Sequence, residues 1–335
     1  MMIVTRAYPR AGLFGNPSDG YFGRTIAFTF SNFFAEVTLY ESPDLEILPN
    51  TRDHSVFRSL DALARDVNLY GYYGGIRLLK AAARKFHQHC REHGLRLHRR
   101  NFTLRYRSSI PHQVGLAGSS AIITACFRAL MAFYQVEIPR EILPNLILAV
   151  ETEELGIAAG LQDRVAQVYQ GLVYMDFAKD LMSRHGHGRY EPLDPALLPP
   201  LYIAYRANLA EGSEVVHNDL RSRFRQGDRR VLAAIRCWAE LTDRVRMLLL
   251  TGHGREIGPL LDANFDRRRQ VCAISPGNLQ MVEAARSVGA SAKFTGSGGA
   301  IIGTVDNAAM FAALRRKFAP LKVKVIRPEL IGPEQ

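Results

Sequence analysis

The sequence predicts an α+β protein with mixed or antiparallel sheets and helices packed on them. Three observations carry that expectation. The first fifty residues show strand-like composition, a glycine-rich loop at 111–121 opens into a helical period, and the residues beyond 200 mix helical and strand patterns.

Taken in order, Thr25 to Phe30 and Phe34 to Tyr40 are rich in β-branched and aromatic residues with partial alternation, which predicts strands. From Tyr72 to His93 the period becomes helical, with Ile76, Leu79, Ala83 and Phe86 on one face and Gly94 as the stop. Phe102 to Tyr106 is a short alternating strand running into the glycine loop. Ser119 and Ser120 are placed to cap the helix that follows, whose apolar face holds Ile122, Ile123, Cys126 and Leu130. Pro139 suits the first turn of another helix reaching about Leu155. A further helix follows Gly160, then a strand from Leu172 to Met175. Pro192, Pro195, Pro199 and Pro200 punctuate the chain, and the domain boundary is expected there, between residues 1–195 and 196–335. Beyond it the patterns predict a strand at Leu201 to Tyr205, helices near 213–225, 229–251 and 277–288, a glycine turn at 296–299, and a last strand from Leu321 to Arg327.

A chain of 335 residues with 47% apolar content can bury a substantial core. No apolar run approaches the length that crosses a bilayer, and the N-terminus lacks the order of a secretory signal, so a cytoplasmic protein is expected. Four dispersed cysteines without a C-x-x-C pair read as reduced thiols. The formal charge is +11, and of the 43 basic residues seven are Lys, leaving 36 Arg. These arginines spread along the whole chain without a basic, aromatic-interleaved block, which favours anionic small ligands over nucleic acid.

Four segments carry chemistry. At 111–121, Pro111, Gly115, Leu116, Ala117, Gly118, Ser119 and Ser120 join a strand to a helix. Small residues there let backbone approach phosphate oxygens, and free amides at a helix start point at an anion. The Lys of a Walker A loop is absent, and a capped helix after a glycine turn explains the same residues. Glu151, Glu153 and Glu154 precede Gly160-Leu161-Gln162-Asp163-Arg164; carboxylates on neighbouring helix ends suit phosphoryl transfer, or else a solvated face and a cap. Lys293 to Gly299 is a glycine turn before a strand, explained equally by a plain hairpin. Between Arg10 and Arg24, the polar residues Asn16, Ser18, Asp19 and Arg24 crowd a turn able to grip a hydroxylated ligand. His89 and His93 share a helix face but lack the Glu of a zinc motif, and read as a solvated helix end.

In this order the segments resemble the signature motifs of the GHMP kinases: Pro111 to Ala121 is similar to P-x-x-x-G-L-x-S-S-A, and Lys293 to Gly299 to K-x-T-G-x-G-x-G. Where that superfamily often has Gly-Glu-His, this chain has Gly15-Asn16-Pro17. With Gly160 to Tyr169, that departure resembles the glucuronokinases, which phosphorylate D-glucuronate at its anomeric hydroxyl. The resemblance spans residues 10–299 and is thin between about 180 and 290. It implies a two-domain kinase with its active site in the cleft between domains, using ATP and Mg²⁺. Gly115, Gly118, Ser119 and Ser120 would wrap the ATP phosphates, and Ser120 and Glu151, or Glu154 in its place, would hold the metal. Asp163 would face the sugar hydroxyl with Arg10 beside it. Asp19, Tyr21, Gly296 and Ser297 would line the sugar side, with Arg24, ahead of Arg164, gripping the carboxylate. Asn68 to Tyr73 is the segment expected at the adenine. The partners implied are ATP and a sugar acid, with no nucleic acid or membrane, in a monomer or homodimer. A kinase for a neutral hexose or a heptose phosphate, and a non-catalytic binding protein of the same fold, are the alternatives.

Overall fold

A computed structural model describes residues 1–49, 53, 59, 74–206 and 213–333; the segment expected at the adenine, Asn68 to Tyr73, lies outside the described residues. Among the described residues the strands form three four-stranded sheets. The first has the order β1 (Met2–Ala7), β4 (Ala35–Ser42), β6 (Asn101–Ser108), β5 (Glu46–Ile47). The second has β2 (Arg10–Phe14), β3 (Arg24–Thr29), β7 (Leu172–Asp176), β8 (Arg189–Leu193). The third has β10 (Lys293–Phe294), β11 (Ala300–Thr304), β9 (Leu201–Tyr205), β12 (Lys324–Ile326). Every pairing is antiparallel except β5 with β6. The α+β expectation of mixed and antiparallel sheets therefore holds.

Helix α1 (Gly75–Glu92) ends where Gly94 takes a positive φ, and it lies on α2 (Gly118–Tyr134), which covers β1 and β4. The contact is aromatic, with Phe86 edge-on to Phe127 and stacked on Tyr134. Strands β2 and β7 are buried at every position, so neither alternates between buried and exposed residues. Strand β9 shows the two-residue period clearly. Ile203 and Tyr205 join the main core, whereas Tyr202 and Ala204 join a second cluster with Phe265, Met281 and Phe318. The expected boundary at 195/196 falls in the short helical turn Pro195–Leu197, and the main core draws side chains from both sides of it, Val173 and Ile203 among them.

Several local expectations are corrected. Pro139 does not open a helix: α3 spans Leu143–Ala149, and the Pro139 carbonyl accepts from the amides of Ile142 and Leu143 in the preceding turn. The chain then widens into a π-helical turn, Val150–Glu154, before α4 (Gln162–Tyr169). Helix α5 (Lys179–His185) follows β7. Helices α6 (Ser213–Arg225) and α7 (Arg229–Leu250) follow as expected. Next comes α8 (Gly258–Val271), which the weakly amphipathic sequence did not disclose, then α9 (Pro276–Arg286) and α10 (Ala308–Phe318). No described helix is long and apolar enough to cross a membrane. The four cysteines are free, and His93 Nδ1 lies 2.9 Å from the His89 carbonyl oxygen.

Candidate functional site

Arg10 leads β2 and is 4% exposed. A buried guanidinium must satisfy its donors, and this one does so on three segments far apart in the chain. Its Nε and Nη2 meet Asp163 Oδ1 at 2.7 and 2.5 Å, and Nη1 donates to the carbonyls of Gly115 at 3.1 Å and Thr295 at 2.7 Å. One side chain thus ties the glycine loop, the start of α4 and the β10–β11 turn together.

The two glycine segments also touch directly. A Cβ on Gly296 would stand 2.6 Å from the Gly115 carbonyl oxygen, and one on Gly115 would stand 2.8 Å from that of Gly298. Thr295 Oγ1 donates to the Gly115 carbonyl at 3.1 Å. Arg268 of α8 braces the turn from behind, donating to the carbonyls of Gly296 at 2.8 Å and Ser297 at 3.2 Å. Gly296 and Ser297, expected on the sugar side, are therefore packed against the glycine loop. Gly118 is less crowded: a Cβ there would meet Ile110 at 3.5 Å, an ordinary contact distance. The first turn of α2 has no side-chain cap, and its free amides suit a phosphate group.

The serines do not cap α2. The helix begins at Gly118, after Ala117 in the left-handed region with φ 60°, and has no side-chain cap bond. Ser119 Oγ donates to Glu151 Oε1 at 2.7 Å instead. Ser120, the expected metal ligand, is fully buried and its Oγ turns back to the Ala117 carbonyl at 3.2 Å. Gln167 Nε2 donates to the same carbonyl at 2.8 Å and holds that turn. The π-helical turn decides which carboxylate points inward. Glu151 is 1% exposed and pairs with Arg164, whereas Glu153 and Glu154 pair with Lys85 and Arg84 of α1.

Asp163 Oδ2 carries only a 3.5 Å pairing with Arg164, so it is the freer oxygen, and the side chain is 21% exposed. Asp19 stands beside it in a short turn, Ser18–Tyr21, its Oδ2 accepting from the Gln162 amide at 3.1 Å. Gly160 permits this approach, since a Cβ there would meet Asp19 Oδ2 at 2.1 Å. Burial first, then the Asp163 charge, pushes the Asp19 carboxyl up to about 6, against smaller opposing effects of the Gln162 amide, Arg10 and Arg164.

Two residues expected on the sugar side are engaged within the fold. Arg24 donates to Asp176 at 3.1 Å and Asp243 at 2.6 Å, so two carboxylates already meet its charge. Tyr21 is buried in a small cluster with Leu220 and Trp238, its ring 5.1 Å from that of Phe224. Arg164, second in line for the carboxylate, is buried against Glu151 and the Gly160 carbonyl. Sequence reasoning passed over Lys293, whose buried ammonium donates to Gly12 O at 2.8 Å and to Asn16 Oδ1, pinning the third segment to the first. Burial, then Arg268 and Arg10, holds its pKa well below the usual lysine range. A Lys three residues ahead of a glycine turn gives no local sign of this link.

Residues 77–171 match the GHMP kinases N terminal domain. By overall fold the chain is similar to Lactococcus lactis galactokinase complexed with galactose, with a TM-score of 0.78 at 16% identity over 99% of this chain and 95% of that one. It is likewise similar to L. major mevalonate kinase in complex with R-mevalonate, with a TM-score of 0.68 at 17% identity over 98% and 97%. In sequence it is 45% identical to glucuronokinase 1 of Arabidopsis thaliana over 306 residues, 90% of this chain and 84% of that protein. It is 46% identical to probable glucuronokinase 2 of the same plant over 304 residues, 89% and 82% of the two chains. The chain belongs to the GHMP kinases and, among them, to the glucuronokinase family.

Proposed function

We propose that this protein transfers the γ-phosphoryl group of ATP to the anomeric hydroxyl of D-glucuronate. One observation carries the reading: Arg10 joins the glycine loop and Asp163, the two parts a phosphotransferase must hold in register, in a chain whose relatives over most of its length are glucuronokinases.

Positioning and charge neutralisation are the protein's work in such a transfer. The uncapped first turn of α2 receives the phosphates. Mg²⁺ commonly takes one or two protein carboxylates and leaves its other positions to phosphates and water. Glu151, whose Oε1 accepts from Ser119 Oγ at 2.7 Å and whose Oε2 pairs with Arg164, brings together one carboxylate and one hydroxyl, the protein donors such an ion takes. Bound there, the ion would neutralise phosphate charge. Asp163 presents Oδ2 to the acceptor hydroxyl while Arg10 fixes Oδ1, which makes it an orienting group first. An anomeric hydroxyl, more acidic than other sugar hydroxyls, suits that arrangement. Asp19, as a carboxylate, accepts from neighbouring sugar hydroxyls. Four free cysteines fit a reducing, cytoplasmic setting.

ADP release measured across D-glucuronate, D-glucose and a heptose phosphate tests this reading. It predicts turnover that prefers glucuronate. Comparable rates on the other sugars favour a different acceptor, and no ADP from any of them favours a non-catalytic protein.

A further inference from the structure

If the acceptor is a sugar acid, something must recognise its carboxylate, and the arginines nearest the site are engaged. Arg10 is held by Asp163, Arg164 by Glu151, Arg24 by Asp176 and Asp243, and Arg268 by two carbonyls. Among the described residues, Arg206 and Arg221 are partly buried arginines whose side chains make no hydrogen bond or ion pair. Arg206 follows β9, with its amide on the Gly299 carbonyl at 2.9 Å. Gly299 packs on Val114 of the glycine loop, so Arg206 belongs to the phosphate side.

Arg221 lies on the other side. Helix α6 packs on the turn that carries Asp19: Leu220 is buried with Tyr21 in one cluster, and Phe224 meets the Tyr21 ring at 5.1 Å. Arg221 adjoins Leu220 and precedes Phe224 by one helical turn. The Tyr21 hydroxyl is pushed up to about 12, mostly by burial; Arg221 opposes the shift and Asp19 adds to it, so both charges act on one phenol. The carboxylate nearest in sequence, Asp219, is ion-paired with Arg223 at 3.4 Å.

We propose that Arg221 of α6 is the specificity-determining residue that binds the carboxylate of the sugar acid, with Asp19 receiving its hydroxyls. This rests on the sugar-acid reading above. A partly desolvated guanidinium without an internal acceptor, on a helix seated against the turn that carries the hydroxyl-binding carboxylate, makes a forked contact with an incoming carboxylate that a neutral sugar cannot make. Tyr21 then works from beneath, its buried ring seating α6 against the Asp19 turn.

The test compares kcat/KM for D-glucuronate and for D-glucuronamide, its uncharged counterpart, in the wild type, Arg221→Gln and Arg221→Lys. The wild type should prefer glucuronate, and Arg221→Gln should shrink that preference at least ~30-fold, the low end for truncating one partner of a close charge pair. Turnover of the amide should stay within about threefold, which also shows the variant is folded, and Arg221→Lys should restore part of the preference through its remaining charge. A preference that survives Arg221→Gln overturns the assignment and leaves the sugar-acid reading standing. A wild type that treats the acid and the amide alike removes the sugar-acid reading and this assignment with it. If Arg221→Gln does not fold, an undiminished preference in Arg221→Lys, which loses the fork but keeps the charge, counts against the assignment.

Discussion

Arg10 and Asp163 lie 153 positions apart and meet at 2.7 Å, with the remaining guanidinium donors on two glycine-segment carbonyls. Asp163→Asn keeps the shape but loses the charge that holds Arg10 and orients the hydroxyl. We expect it to lower kcat by at least ~10²-fold while ATP still binds, as single-turnover kinetics and nucleotide titration would show; a loss below tenfold would reduce Asp163 to a structural anchor for Arg10. Asp19 makes a pH-dependent prediction. Its carboxyl keeps a proton to about pH 6 in the folded chain, whereas the ordinary value is 3.8. Between those values the native state holds more protons than the unfolded one, so this residue's contribution to stability falls as pH rises through the window and is lowest above it. Asp19→Asn should therefore raise the melting temperature at pH 8 and lose that advantage near pH 4. The gain should be on the order of 1 kcal/mol, because solvent reaches this partly buried carboxyl. Sugar kcat/KM in the wild type should drop as pH falls through about 6, and a profile flat between pH 5 and 8 would count against a hydroxyl-accepting Asp19.

At the scale of elements, the π-helical turn and the first turn of α2 together place Glu151 beside Ser119, the donors proposed for Mg²⁺. Ser119→Ala should raise the Mg²⁺ concentration needed for half-maximal turnover and lower kcat, as should Glu151→Gln. Ser120→Ala should act mainly on stability, since its hydroxyl is buried on the Ala117 carbonyl. Equal effects of the two serines on the Mg²⁺ requirement would contradict the geometry. The loop itself was legible in the sequence because glycines and small residues mark close backbone approach, and β9 and α6 were legible because their period or composition was unambiguous. Which serine faces Glu151 was not legible. That depends on Ala117 taking a left-handed conformation and shifting the helix start by a residue, which no local preference announces. The internal partners of Tyr21 and Arg24 were not legible for a related reason. A buried phenol and a paired arginine look like ligand-binding residues until α6 and α7 arrive, and those helices come from two hundred residues further along the chain.

Across the whole molecule, the third sheet gives one face to the main core and the other to a cluster under α9 and α10, so the β10–β11 turn reaches the glycine loop on a supported strand pair. Lys293 and Arg268 extend that support to the first segment and to α8. Lys293→Met keeps length without the donors; it should lower stability by roughly 1–3 kcal/mol per buried acceptor left unmade, seen as a shift of the denaturant midpoint, and lower turnover only through the displaced turn. The arrangement as a whole claims one chemical outcome, phosphate carried to the anomeric oxygen of a sugar acid. Phosphorus and carbon NMR of the product formed from ATP, Mg²⁺ and D-glucuronate reads that outcome directly. The account predicts a phosphate ester coupled to the anomeric carbon, formed with one equivalent of ADP; a phosphate on any other carbon, or ADP released without a sugar phosphate, would contradict it.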